Sequence, residues 1–225
     1  LGFGKSEKPL LDYNVDIYTE LVDEILNRVV KRPVHLVTSS QSAVIALKSA
    51  CNDRNNVLSL TIISPPRLDT PRYKQTKIGK TFLKTALTSP IIGTTVYNSL
   101  TSKTSIHYRL KRKMYFNKKI VTPDVVNYYY EAAHQDGLQA RRAPASFISG
   151  QFHTSITHEL KHCTKPLFVI AGEQARTDLP TTLAQYRRVR ANMGTKIIPN
   201  SRMLPHDEQP QQVAEAIQAF ITEKT

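Results

Sequence analysis

Cysteine is scarce in this chain, with two among 225 residues, Cys51 and Cys163. They stand far apart and match neither a Cys-x-x-Cys redox motif nor a zinc-ligand spacing, so two single buried thiols are expected. Long apolar runs are missing too. No segment approaches the roughly 20 residues that a membrane-spanning helix needs. Internal repeats and low-complexity stretches are absent. Acidic residues are absent from one long stretch. Between Pro71 and Ile120 there are twelve Lys or Arg and no Asp or Glu, while the rest of the chain holds nineteen basic against eighteen acidic residues. The net charge of +13 is therefore concentrated in that segment. It reads either as a patch for anionic surfaces such as phospholipid headgroups, or as a solvated lysine-rich surface. Tyr73, Tyr97, Tyr108 and Tyr115 interleave with it. No nucleic-acid-binding module accompanies them, and nucleic acid is not expected as a partner. An initiator methionine is also absent. The chain opens at Leu1 on a segment that reads as the middle of a fold, and further chain upstream is expected.

What is present describes an ordinary globular chain, 40% hydrophobic and 22% charged. Its length suits one sizeable core with a sub-domain. Tyr18, Leu21, Val22, Ile25, Leu26 and Val29 predict one amphipathic helix over Val15–Val30. Short apolar strands are predicted at Val34–Val37, Val57–Ile63, Pro166–Gly172 and Thr195–Pro199. Helices are expected at Ser42–Ala50, at Pro180–Met193 (closed by Gly194) and at Pro210–Phe220. Strands alternating with helices point to a parallel α/β sheet. From about Asp69 to His162 the pattern becomes helical and irregular. Ser89-Pro90 and Thr122-Pro123-Asp124 read as helix starts, a capping hydroxyl followed by proline. An insertion of this kind between two strands predicts a lid over a site at the carboxyl edge of the sheet.

The chemically informative segment is Thr38-Ser39-Ser40-Gln41-Ser42, between a strand and a helix. A serine nucleophile on such a turn has its hydroxyl thrust away from the sheet, with small residues on either side. Ser40 takes that place. The Gln41 N–H, at the start of the helix, would supply one oxyanion donor. The plainer reading is a polar strand end in which Ser39 or Ser40 caps the helix. Leu1-Gly2-Phe3-Gly4-Lys5-Ser6 lacks the spacing of a phosphate-binding loop. His153, His158 and His162 lack a carboxylate at a third-ligand spacing and read as solvated helix histidines, so neither metal nor cofactor is expected. Tyr128, Tyr129 and Tyr130, with His134, read as packing residues of the insertion.

Taken in order, four segments resemble the α/β-hydrolase family. Leu1-Gly2-Phe3-Gly4-Lys5-Ser6-Glu7-Lys8-Pro9 resembles the family's D-x-x-G-x-G-x-S-x-x-P loop without its leading aspartate. Val34 to Leu47 resembles the V-x-L-V-G-x-S-x-G-x-x-A-L elbow. Lys165 to Glu173 resembles the strand that leads to the catalytic acid, and Leu204 to Pro210 the segment that follows the catalytic histidine. The resemblance implies an α/β-hydrolase fold, here the second half of the usual eight-stranded sheet. It divides the chain into core (1–69), helical lid (70–162) and core again (163–225). It implies a serine hydrolase that cleaves an ester or similar acyl bond in a small apolar or acyl substrate, through an acyl–Ser40 intermediate. A cytoplasmic protein is expected, with the basic segment as a peripheral contact to an anionic membrane.

The departures fall on the chemistry. The family's acid position holds Ala175 and its histidine position holds Met203. Neither can accept the serine proton or orient a base. His206 is the nearest replacement histidine, and Asp178, Asp69 or Glu173 the nearest carboxylates, with Asp178 and Asp69 retained as candidate acids. The alternative is a non-catalytic member of the fold that binds an apolar ligand or partner beneath its lid.

Overall fold

Proline, glycine and β-branched residues punctuate this chain into short elements, which the computed structural model describes over residues 1–224 apart from 53, 69–76, 153, 154, 176 and 177. Helix α1 (Val15–Glu24) widens into a π-helical stretch over Ile25–Val30 and is followed by β1 (Val34–Ser39), α2 (Ala43–Ala50) and β2 (Val57–Ile63). Five helices come next: α3 (Lys77–Thr88), α4 (Ile92–Leu100), α5 (Lys103–Arg109), α6 (Pro123–His134) and α7 (Arg142–Ile148). Then α8 (Thr157–His162) leads to β3 (Leu167–Gly172), α9 (Leu179–Val189), β4 (Gly194–Ile198), α10 (Pro205–Glu208) and α11 (Pro210–Lys224).

The chain divides into two compact units. One comprises Asp16–Thr70, Lys113–Asn117 and Thr154–Thr225, and contains the sheet. Its four strands are all parallel, as the sequence predicts, in the order β1-β2-β3-β4. β3 is buried throughout and β2 everywhere except Leu58, because parallel strands are covered on both faces. The outer strands β1 and β4 leave Val37 and Ile197 exposed. On one face Ile63, Phe168, Ile170 and Ile198 pack against Val213 and Phe220 of α11. Phe168 and Phe220 stack with ring centroids 4.8 Å apart. Helix α2 packs on β1 and β2.

A polar network ties α1 to this core. The Asp23 carboxylate accepts from Ser49 Oγ (2.6 Å), Asn52 Nδ2 (2.9 Å) and Asn55 Nδ2 (2.6 Å). Asn27 Nδ2 donates to Asn55 Oδ1 (2.7 Å). Both Ser49 and Asn55 are buried, so these bonds satisfy groups that would otherwise be costly to bury.

Three expectations need correction. The helix over Val15–Val30 does not keep one buried stripe: Leu26 is buried, but Ile25 and Val29 are exposed. The π-helical stretch winds more than 3.6 residues per turn, which slides a 3.6-period stripe off its face. Gly194 does not close α9 but begins β4, opposite Phe168. A Cβ there would lie 2.9 Å from the Phe168 ring, so glycine is needed for close strand packing. Both cysteines are free thiols, as expected, but only Cys163 is buried, and Cys51 is half-buried. Cys51 Sγ donates to the Glu159 carbonyl (3.5 Å), which also accepts the Cys163 N–H (2.8 Å). The closeness of the two thiols holds Cys163 below and Cys51 above the ordinary cysteine value.

The second unit comprises Leu1–Val15, Pro71–Arg112 and Lys118–His153, and is helical. Thr122 caps α6 as predicted, accepting the Val125 N–H (3.3 Å) with Pro123 in the first turn. Ser89 Oγ accepts the Gly93 N–H (3.1 Å), although α4 begins at Ile92. Buried Lys8 donates to the Gly4 and Ser6 carbonyls and to Asp136 (2.9 Å), so the glycine-rich loop is folded around a lysine. Gly2 has φ +76° and lies against Tyr13 and Ala143, where a Cβ would clash.

Candidate active site

Ser40 is where β1 turns into a helix. Ser39 is extended (φ −126°, ψ 135°), and Ser40 then takes φ +54° before a short 3-10 turn runs into α2. That left-handed conformation is rare for a residue with a Cβ, and a sharp strand-to-helix turn requires it. Ser40 is half-buried. Gln41 follows it in the first helical turn, where backbone N–H groups have no intrahelical acceptor. Thr38 Oγ1, two residues earlier, is buried without a hydrogen-bond partner.

Strand register brings the other candidate positions to the same edge. Ser39 pairs with Ile63, Ile63 with Ile170, and Gly172 with Ile198. Since all four strands are parallel, Ser40, Ser64, Ala175 and Met203 lie just beyond their carboxyl ends. Ser64 also has a positive φ, +51°, and is buried. Its Oγ donates to the Met203 carbonyl (2.9 Å), while the Met203 N–H donates to Met114 O (3.1 Å). Nothing in the sequence marks Ser64, which follows directly on the predicted strand Val57–Ile63. Gly172 sits where a Cβ would meet the Arg202 carbonyl at 2.2 Å, so the loop after β4 crosses the end of β3 closely. Ala175 closes a turn onto Gly172 O (3.0 Å).

His206 lies in α10, half-buried, with Nδ1 buried and without a partner. Among the described residues, no side-chain hydrogen bond joins Ser40 to a histidine. Asp178 is exposed and caps α9, accepting from the Thr181 N–H (3.3 Å) and hydroxyl. Those donors hold its carboxyl below the usual aspartate value. Glu173 is exposed, and its N–H donates to Ile198 O (2.9 Å). Asp69 and His153 lie outside the described residues. His158 and His162 stack at 4.3 Å, with His162 Nδ1 on the His158 carbonyl.

The segment after Met203 is held by a set of hydrogen bonds to the stretch 115–117 and to Arg202. The Glu208 carboxylate accepts the Phe116 and Asn117 N–H groups (2.7 and 2.9 Å) and the Arg202 N–H (2.7 Å). Tyr115 donates its hydroxyl to Asp207. Three backbone amides on one ionised oxygen pair fix this loop rigidly.

A family model described as "Alpha/beta hydrolase family" matches residues 1–216. No curated protein matches the chain. Among solved structures it is similar to an E-2-(acetamidomethylene)succinate hydrolase, at 18% identity and TM-score 0.65, over 98% of this chain and 78% of that one. A meta-cleavage product hydrolase from Pseudomonas fluorescens IP01 matches at 16% identity and TM-score 0.72, over 100% and 78%. A bromoperoxidase from Bacillus anthracis matches at 16% identity and TM-score 0.71, over 98% and 79%. At these identities the likeness establishes the fold.

Proposed function

The chain belongs to the alpha/beta hydrolase family, and from that membership we propose that it is a serine hydrolase of ester or similar acyl bonds, built on Ser40, with weak turnover. The observation that carries this reading is the +54° φ of Ser40 at a strand-to-helix turn. Such a turn supports attack by a hydroxyl and stabilisation of the resulting oxyanion by the Gln41 N–H. In an acyl transfer the Ser40 oxygen would bond to the substrate carbonyl carbon, the leaving group would depart, and water would then release the acid.

The hydroxyl is a poor nucleophile unless a base takes its proton at about 2.6–3.2 Å or through one water. Met203 and Ala175 stand at the family's base and acid positions. Residual rate enhancement is then limited to roughly 10³–10⁴-fold over water, the level left by binding and an oxyanion hole alone. The same absence supports a second reading, a non-catalytic protein that binds an apolar ligand or partner. The solved structures above include hydrolases and a bromoperoxidase, so the likeness does not select the bond.

Labelling with a fluorophosphonate probe tests the reading. We expect faint labelling of the wild type, none in Ser40→Ala, and a clear rise in Met203→His/Ala175→Asp. If the double variant folds and stays as faint as the wild type, the second reading stands. Strong wild-type labelling abolished by both Ser40→Ala and His206→Ala would instead identify His206 as a displaced base, with full activity.

A further inference from the structure

The helical unit contains a buried cation without an anion. Arg141 is 6% exposed. Its two terminal nitrogens donate to Thr94 Oγ1 and to the Thr88 carbonyl, both at 3.0 Å, and its Nε is buried without a partner. Ion pairs of this unit include Lys8 with Asp136 and Lys84 with Asp12; among the described residues none reaches Arg141. A guanidinium keeps its charge at every accessible pH. Neutral acceptors offset only part of the cost of burying it, and the unused Nε–H adds to that cost.

Arg141 borders a cavity of about 280 Å³, together with Thr94, Tyr97, Asn98 and His134. Asn98 and His134 also border an adjoining cavity of about 390 Å³ that includes Lys103. Among the described residues no carboxylate lines either space. Lys103 lies over the Tyr130 ring at 5.2 Å, and that ring stacks on His134 at 4.1 Å. His134 Nδ1 faces the Tyr130 carbonyl (2.8 Å), and Nε2 faces Thr101 Oγ1 (3.3 Å). Thr101 Oγ1 also lies 2.6 Å from Tyr97 O, so the His134 ring is held in place from both nitrogens. Tyr97 donates to Ala133 O (2.6 Å), and burial pushes its phenol up to about 12, so it adds no negative charge.

We propose that these adjoining cavities form a binding site for a small oxyanion, the carboxylate or phosphate group of a metabolite-sized ligand, with Arg141 as its buried anchor, Lys103 as a flanking cation and His134 as part of the wall shared by the two cavities. The charge of the guanidinium suits either group, and the smaller cavity alone has room for one. The site lies wholly within the helical unit and does not depend on Ser40 chemistry.

Calorimetric titration of the full chain at low ionic strength tests it, with inorganic phosphate and with succinate in separate arms. Saturable binding in at least one arm is expected, together with a melting temperature that rises with that anion's concentration. The arm that saturates identifies the preferred group. Arg141→Met should weaken it by roughly 10- to 100-fold, the loss of a charged hydrogen bond. Lys113→Met, an exposed charge of the sheet-containing unit, should leave it unchanged. Because Arg141 also ties Thr88 and Thr94, the exposed Asn98→Leu substitution provides a second test, replacing the wall shared by both cavities. Unsaturable heats in both arms, or full binding in a folded Arg141→Met or Asn98→Leu protein, would overturn the site.

Discussion

Ser40 occupies a backbone conformation that serine seldom adopts, and this has a measurable consequence. The left-handed region costs a residue with a Cβ about 1–2 kcal/mol, and glycine essentially nothing. Ser40→Gly should therefore be more stable than Ser40→Ala by roughly 1 kcal/mol in urea denaturation, after the extra chain entropy of glycine is subtracted. Equal stabilities would mean that the turn relaxes in solution. Asp178 makes a second prediction. Its folded carboxyl titrates below that of an unfolded aspartate because the Thr181 hydroxyl and N–H donate to it. A depressed folded value means that its capping contribution is complete above about pH 4 and fades as pH falls through the folded value. The melting-temperature gap between wild type and Asp178→Ala should accordingly be open at pH 6 and narrow toward pH 2. At this scale the sequence was legible where a residue's neighbours in the chain determine its state, as at Ser40. It was silent on Ser64 and Arg141, whose roles come from Met203, Thr88 and Thr94, partners distant in the chain.

The elements were legible for a related reason. Pro65-Pro66 stops β2 and Pro123 starts α6, because proline removes a donor and fixes φ. An apolar pair such as Phe168 and Ile170 places one face of β3 against a helix. The π-helical stretch after α1 and the start of β4 at Gly194 were not legible, since packing against neighbours decides both. Two element-scale predictions follow from that packing. Phe220 fixes α11 on the sheet by stacking on Phe168, and Phe220→Ala should cost about 3–5 kcal/mol, the range for large core truncations. Asn55→Ala leaves buried Ser49 and the Asp23 carboxylate short of a donor and should cost roughly 1–3 kcal/mol. A loss below about 0.5 kcal/mol in chemical denaturation would show that water replaces the amide.

At the scale of the whole chain the dominant feature is electrostatic, and composition alone exposes it. Twelve basic residues without an acid between Pro71 and Ile120 carry almost the entire excess of +13. Several of their side chains are exposed, among them Lys103, Lys113 and Lys118. No helix of the described residues is long and apolar enough to cross a membrane. The contact expected from the basic residues is electrostatic, worth on the order of 1 kcal/mol per basic residue near an anionic surface. We expect the protein to co-sediment with vesicles containing phosphatidylserine and not with pure phosphatidylcholine vesicles. Binding should weaken as salt shortens the Debye length from about 10 Å at 0.1 M to about 3 Å at 1 M. Reversing three charges, Lys113→Glu, Lys118→Glu and Lys119→Glu, should abolish most of the binding, whereas Arg141→Met should not, because that guanidinium is buried. Equal partitioning into neutral and anionic vesicles, or binding indifferent to salt, would make the segment a solvated surface whose charge serves solubility.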